Sequence, residues 1–254
     1  MPLVAAPATL SPRAPASRAR RYRVKAIWPT LQGEGAWAGR PAVFVRLVGC
    51  NMWSGYEADR LHAAERTGGA CPLWCDTDFT KEGSHRYTAA ALVEAITEAG
   101  DQGGTPVRFV VLTGGEPLLQ ADALLIEALH ARGFEVATET NGTVRLADAF
   151  TNTGGTLVPP DWVVCSPKLP ADRLVIEWMD ELKLVVPDYR PEAYAEVVAR
   201  VRPHRVGVHD RRYLWLQPED GPRQPAATRL AVNLALADPR WRVSVQTHKI
   251  LGVE

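Results

Sequence analysis

At 254 residues the chain can bury a substantial core as one large domain, and its length does not demand a second. Lys plus Arg and Asp plus Glu both number 29, so the basic excess of a protein that grips long nucleic acid is missing and a small, roughly neutral substrate is favoured. No run approaches the ~20 apolar residues that span a bilayer, and four unevenly spaced cysteines exclude a small secreted disulfide scaffold, which leaves a reducing cytoplasm and no membrane partner.

Residues 1–21, rich in Ala, Pro and Arg with no apolar signal core, read as a disordered tail ahead of a single catalytic domain over 22–254. Apolar and β-branched runs bounded by turn residues predict strands at 22–28, 42–48, 107–112, 134–138, 162–165, 182–186, 213–216 and 243–246. Between them, 88–99 places Leu92, Val93 and Ile96 on one helical face behind a Thr88 cap. Residues 122–131 repeat Leu and Ile at helical spacing until Gly133, and 192–201 and 226–237 are further helices. The charged stretch 57–66 predicts a short helix of its own, whereas 166–181 is too irregular for a full crossover helix. Strands alternating with helices imply parallel β-α units, here an α/β fold with an incomplete helical layer.

Polar motifs follow four of the strands: Thr113-Gly114-Gly115-Glu116, Glu139-Thr140-Asn141-Gly142, Ser166-Pro167-Lys168 and Gln217-Pro218-Glu219-Asp220-Gly221. Ligands collect beyond the carboxyl ends of parallel strands, so the four describe one rim. Each alone is an ordinary turn as readily as a site. Ahead of the first lie Cys50, Cys71 and Cys75. Each iron of a 4Fe-4S cluster needs a ligand beyond its sulfides. Three thiolates would therefore leave one iron open to a small molecule. Zinc held with Cys165 or a histidine is the alternative, but the paired short spacings of structural zinc sites are missing. Three unrelated core cysteines are the blander reading.

The cysteine set together with Gly114-Gly115-Glu116-Pro117 resembles the radical S-adenosylmethionine enzymes, and more narrowly the 7-carboxy-7-deazaguanine synthases of queuosine precursor synthesis. The narrower likeness rests on Leu31-Gln32-Gly33-Glu34-Gly35, Arg46-Leu47-Val48-Gly49-Cys50-Asn51, Cys75-Asp76-Thr77, Glu139-Thr140-Asn141-Gly142, Ser166-Pro167-Lys168, Gln217-Pro218 and Gln246-Thr247-His248-Lys249. It covers nearly all of residues 23–252. The superfamily spacing is Cys-x3-Cys-x2-Cys, whereas this chain reads Cys-x20-Cys-x3-Cys, an enlarged cluster loop with one extra residue in its last gap.

The resemblance implies a partial (β/α)6-type barrel holding a 4Fe-4S cluster on Cys50, Cys71 and Cys75. It implies S-adenosylmethionine on Gly114, Gly115, Glu116, Glu139, Ser166 and Lys168, and Mg2+ on Thr77. Its reaction is a lyase step that turns 6-carboxy-5,6,7,8-tetrahydropterin into 7-carboxy-7-deazaguanine with loss of ammonia. Arg46 would hold the substrate carboxylate, with Gln32, Glu34, Gln217 and His248 at the pterin edges. A flavodoxin or ferredoxin as electron donor and a homodimer are further implications. A glycyl-radical activating enzyme would share the cluster, but the motifs at 32–35 and 246–249 argue against it.

Overall fold

Strand β1 (Tyr22–Leu31) runs antiparallel to β2 (Pro41–Leu47), which then pairs in parallel with β4 (Phe109–Gly114). Between β2 and β4 lie α1 (Arg60–Thr67), the edge strand β3 (His85–Tyr87) and α2 (Ala89–Gly100). The chain continues through α3 (Ala123–His130), β5 (Glu135–Thr140), α4 (Leu146–Phe150), β6 (Trp162–Cys165) and β7 (Glu181–Val186). A small hairpin, β8 (His204–Val206) and β9 (His209–Arg211), precedes β10 (Tyr213–Pro218), α5 (Gln224–Ala237), β11 (Trp241–Val243) and α6 (Thr247–Leu251). This computed structural model describes residues 20–207 and 209–253. The tail expected over 1–21 lies outside the described residues except for its last two, of which Arg20 pairs with Asp122 at 2.6 Å.

Among the described residues the main sheet runs β11-β10-β7-β6-β5-β4-β2-β1-β3, parallel from β2 to β11, and it does not close. The α/β class and the incomplete helical layer agree with the sequence. Only a short 3-10 turn at Ala171–Arg173 links β6 to β7, where 166–181 lacks helical periodicity. No helix among the described residues is long and apolar enough to cross a membrane. Thr88 caps α2 by accepting from Ala91 N–H at 3.3 Å, and Asp122 caps α3 by accepting from Leu125 N–H at 3.1 Å.

Two expected elements differ. The helix predicted over 192–201 is a pair of 3-10 segments, Pro191–Tyr194 and Val197–Arg200. Tyr194, Val197 and Val201 are buried there, and the β-branched valines are weak helix formers. The last strand is Trp241–Val243, not 243–246. After Val243 the chain turns inward: Ser244 Oγ accepts from Gly35 N–H at 3.1 Å, and Thr247 N–H reaches Gly33 O at 2.9 Å.

Side chains alternate across a strand. Val43, Val45, Val110, Leu112, Val163, Leu182 and Leu184 face the helices in the main core. Phe109, Val111, Ala137, Trp162 and Val164 face the other way, with Trp37 and Phe44, and plug the inner face at the amino end of the strands. Asp180 anchors the start of β7 and is wholly buried. It accepts from Val163 N–H at 2.8 Å and from Nε and Nη2 of Arg202, and His204 Nε2 lies 2.8 Å away. Arg202 is half exposed, so losing the carboxylate strands one buried N–H rather than a buried cation. Asp180→Ala should cost about 2–4 kcal/mol in the free energy of urea unfolding. A loss under about 1 kcal/mol would mean that water replaces the carboxylate.

Candidate active site

The same alternation that sends Phe109, Val111 and Ala137 inward carries polar side chains inward at the carboxyl ends. Two residues beyond an inward apolar residue stand Arg46 on β2, Thr113 on β4, Glu139 on β5 and Gln217 on β10, and on β7 Lys183 follows the buried Glu181 in the same way. They surround two adjoining cavities. One, of about 420 Å³, is lined by Trp28, Gln32, Arg46, His248 and Lys249 among others. The second, of about 200 Å³, holds Cys50, Cys71 and Cys75 with Gly114, Gly115, Ser166 and Lys168. Glu34, Asp76, Thr77, Thr113, Glu139 and Gln246 line both.

Cys50 ends the turn after β2, and Cys71 and Cys75 share one turn of helix, since Cys75 N–H donates to Cys71 O at 2.9 Å. The extra residue in Cys-x3-Cys is thus absorbed by an i to i+4 bond. All three thiols are free. Burial pushes the Cys50 thiol up to about 11 and the Cys71 thiol up to about 12, so iron or any metal would have to displace their protons. No three His, Cys, Asp or Glu side chains among the described residues converge on a single ion, as zinc would require. Thiols spread round one cavity suit a cluster, which takes each ligand at a different corner. Cys165 lies apart, fully buried in the core.

The glycines of the β4 turn bring it against the β2 turn. Gly114 has φ +139°, and a Cβ there would lie 2.1 Å from Leu47 O. A Cβ on Gly115 would lie 2.2 Å from Gly49 O and 2.7 Å from the Cys50 Cβ. Glu116 does not line either cavity. Its carboxylate is fully buried and accepts from Leu118 N–H at 3.1 Å, Thr140 Oγ1 at 2.8 Å and Asn141 N–H at 2.7 Å, tying the β4 and β5 turns together. Burial lifts its pKa to about 7 against those three donors. Lys168 Nζ donates to Ser166 Oγ at 2.6 Å and stands 5.5 Å from the Trp74 ring, and desolvation lowers its pKa.

The long loop before Cys71 is built, not loose. Its helix α1 buries Ala63, and Trp53 packs edge-on against Phe79 at 5.5 Å. Arg60 stacks over Trp53 at 4.4 Å and donates to Pro72 O at 2.5 Å and Cys75 O at 3.1 Å. One guanidinium thereby fixes the backbone that presents two of the three thiols. Arg60→Ala should speed thiol labelling of Cys71 and Cys75 in the metal-free protein about 10- to 100-fold, the equivalent of about 1.5–3 kcal/mol for charged hydrogen bonds. An unchanged labelling rate would show that the turn holds without it.

In the larger cavity the Arg46 guanidinium lies 4.9 Å from the Trp28 ring, and its buried Nε finds no partner. Gln32 Nε2 donates to Glu139 Oε1 at 3.2 Å. Glu34 pairs with Lys183 and accepts from Gln217 Nε2 at 3.0 Å and Gln246 Nε2 at 2.9 Å. Burial would raise the Glu34 pKa, but the Lys183 ammonium, with the Gln246 amide, outweighs it and holds the carboxyl well below its ordinary value. The Gln217 Oε1 is buried without a partner. Thr77 lines both cavities and its hydroxyl makes no hydrogen bond among the described residues, while neighbouring Asp76 pairs with Lys249 at 3.0 Å. His248 packs on Gly33, where a Cβ would lie 1.9 Å from its Nδ1. The sequence reading had not singled out Lys183, Thr113, Trp28 or Lys249 as site residues. A lone lysine inside Leu182-Lys183-Leu184 was the available signal for the first.

Residues 70–220 match the profile of the Radical SAM superfamily. The chain is 46% identical to the 7-carboxy-7-deazaguanine synthase of Bordetella pertussis over 242 residues, covering 91% of this chain and 99% of that protein. Identity is 45% to the Caulobacter vibrioides synthase over 236 residues, with 91% and 99% covered, and 32% to that of Escherichia coli K12 over 241, with 92% and 99% covered. The crystal structure of QueE from Escherichia coli superposes with a TM-score of 0.59 at 28% identity, covering 89% of this chain and 94% of that one. With its cysteine-lined cavity opening onto a second, polar one at the carboxyl ends of a parallel sheet, the chain belongs to the 7-carboxy-7-deazaguanine synthase family of the radical SAM superfamily.

Proposed function

We propose that the chain converts 6-carboxy-5,6,7,8-tetrahydropterin to 7-carboxy-7-deazaguanine with loss of ammonia, a lyase reaction assisted by Mg2+. The observation that carries this reading is the pair of adjoining cavities, one lined by three thiols and the other by an arginine with an unpartnered buried nitrogen. Cys50, Cys71 and Cys75 would hold a 4Fe-4S cluster, leaving one iron for S-adenosylmethionine. Bound there, the two cofactors supply the radical that takes hydrogen from the substrate, which is the cofactors' chemistry rather than the protein's.

The chain's own residues bind and orient. Gly114 and Gly115, drawn against the β2 turn, would offer their backbone to a ligand, with Glu139, Ser166 and Lys168 as the walls of its site. Glu116, sealed beneath them, acts by fixing the two turns. Arg46 offers a planar fork to the substrate carboxylate, and its unpaired Nε awaits such an acceptor. Gln32, Glu34, Gln217 and His248 address the pterin edges. The free Thr77 hydroxyl suits Mg2+, which takes oxygen ligands and keeps several waters. A flavodoxin or ferredoxin would deliver the electrons, with Leu73, 52% exposed on the turn that carries the buried Cys71, as part of the surface it meets. A homodimer in the cytoplasm completes the reading.

Anaerobically reconstituted protein incubated with S-adenosylmethionine, Mg2+, a reductant and the carboxytetrahydropterin should release 7-carboxy-7-deazaguanine, detected by mass. The Cys50→Ala, Cys71→Ala, Cys75→Ala triple variant should be colourless and inactive. A full cluster in that variant, or no product from the wild type, rejects the assignment. Arg46→Ala should lower kcat/KM by about 10- to 100-fold, equivalent to about 1.5–3 kcal/mol. Unaltered saturation kinetics would remove Arg46 from the carboxylate site.

A further inference from the structure

Lys183 has no task in the reading above. It stands in an apolar strand, 4% exposed, on the wall of the cysteine cavity. A buried ammonium is costly unless it is paired and hydrogen-bonded, and Lys183 Nζ pairs with Glu34 Oε2. The other carboxylate oxygen, Oε1, accepts from the amide nitrogens of both Gln217 and Gln246. An ionised carboxylate has about four lone-pair sites. Lys183 and the two amides occupy three, and one on Oε2 remains.

The orientation of the two glutamines follows from that charge. An ionised Glu34 can only accept, so each amide must turn its N–H towards it and its oxygen away. Gln217 Oε1 is left buried without a donor, and Gln246 lines both cavities. A neutral Glu34 would carry a proton of its own to donate, and an amide could then flip. The charge state of one carboxyl thus decides whether this end of the cavity offers acceptors or donors.

We propose that Lys183 is a positioning residue: through its ion pair with Glu34 it sets Gln217 and Gln246 with their oxygens turned away from the carboxylate, so that the junction of the two cavities selects a ligand edge rich in N–H donors. The proposal rests on the pterin reading and deepens it. A 2-amino-4-oxo ring offers an amino group beside a ring N–H, whereas a 2,4-dioxo ring puts an oxygen where that amino group stood. A site whose buried acceptors are left unpaired by the wrong ligand discriminates strongly.

Binding of pterin-6-carboxylate and of its 2,4-dioxo counterpart, lumazine-6-carboxylate, to the reconstituted full chain tests this by calorimetry, with no turnover required. The wild type should prefer the pterin by about tenfold or more. Lys183→Met should lose most of that preference at about pH 6 and regain it towards about pH 9, as the uncompensated Glu34 ionises. The other charged groups facing the pair are Glu181 beside it on β7, Glu139 on β5, Lys168 after β6, Arg46 on β2, Asp76 on the cysteine turn, and His248 and Lys249 on α6. If Lys183→Met does not fold, Glu34→Gln/Lys183→Met removes both buried charges and should bind the two ligands within about threefold of each other. A wild type that ignores pterin-6-carboxylate sinks the substrate reading itself. A wild type that binds both ligands alike, or a preference kept by the variant at low pH or by the double variant, overturns the role of Lys183.

Discussion

The site depends on one constraint of extended chains: neighbouring residues in a strand must face opposite ways. In seven parallel strands that rule stacks the inner face into two zones. Large apolar groups such as Phe109 and Trp162 fill the amino end, and Arg46, Thr113, Glu139, Lys183 and Gln217 ring the carboxyl end. The apolar plug excludes water from below, so the charges above it act in a medium of low polarity. Pairing is then compulsory, which is why Glu34 and Lys183 occur together and why both glutamine amides turn towards them.

Close approach of backbone to backbone is the second condition. The turns after β2 and β4 touch where a single methyl group on Gly114 or Gly115 would collide with carbonyl oxygens. Glu116 then reaches under the β5 turn and holds it by two hydrogen bonds, with a third to Leu118 N–H in its own turn. Three consecutive rim turns become one rigid body, and the thiol of Cys50 is placed by contacts that involve no metal. Precision of this kind is what a radical site needs, because a misaimed hydrogen abstraction damages substrate or protein.

Much of this was legible in the sequence. The β6 boundaries 162–165 matched because Trp-Val-Val-Cys is flanked by turn residues, and the Thr88 cap stood where a short polar side chain precedes an apolar repeat. The four rim motifs fell together because parallel strands end on one side. What stayed hidden was tertiary. The segment 192–201 has a helix-like pattern, yet its buried valines favour tighter turns against the sheet. The final strand stops early because its continuation is drawn into the site by Gly33, Gly35 and Glu34. Glu116 belongs to a recognisable motif, but only the folded chain shows that its carboxylate faces inward, and Lys183 resembles an ordinary strand residue until its partner, 149 positions away, is seen.

The enlarged segment between Cys50 and Cys71 has a consequence for the thiols that follow it. Arg60 clasps the carbonyls of Pro72 and Cys75 while leaning on Trp53, so the turn that presents two thiols is set by the chain's own contacts, ready for a ligand. Little conformational freedom is left to be surrendered at capture, and preorganisation of that kind strengthens binding without adding a contact.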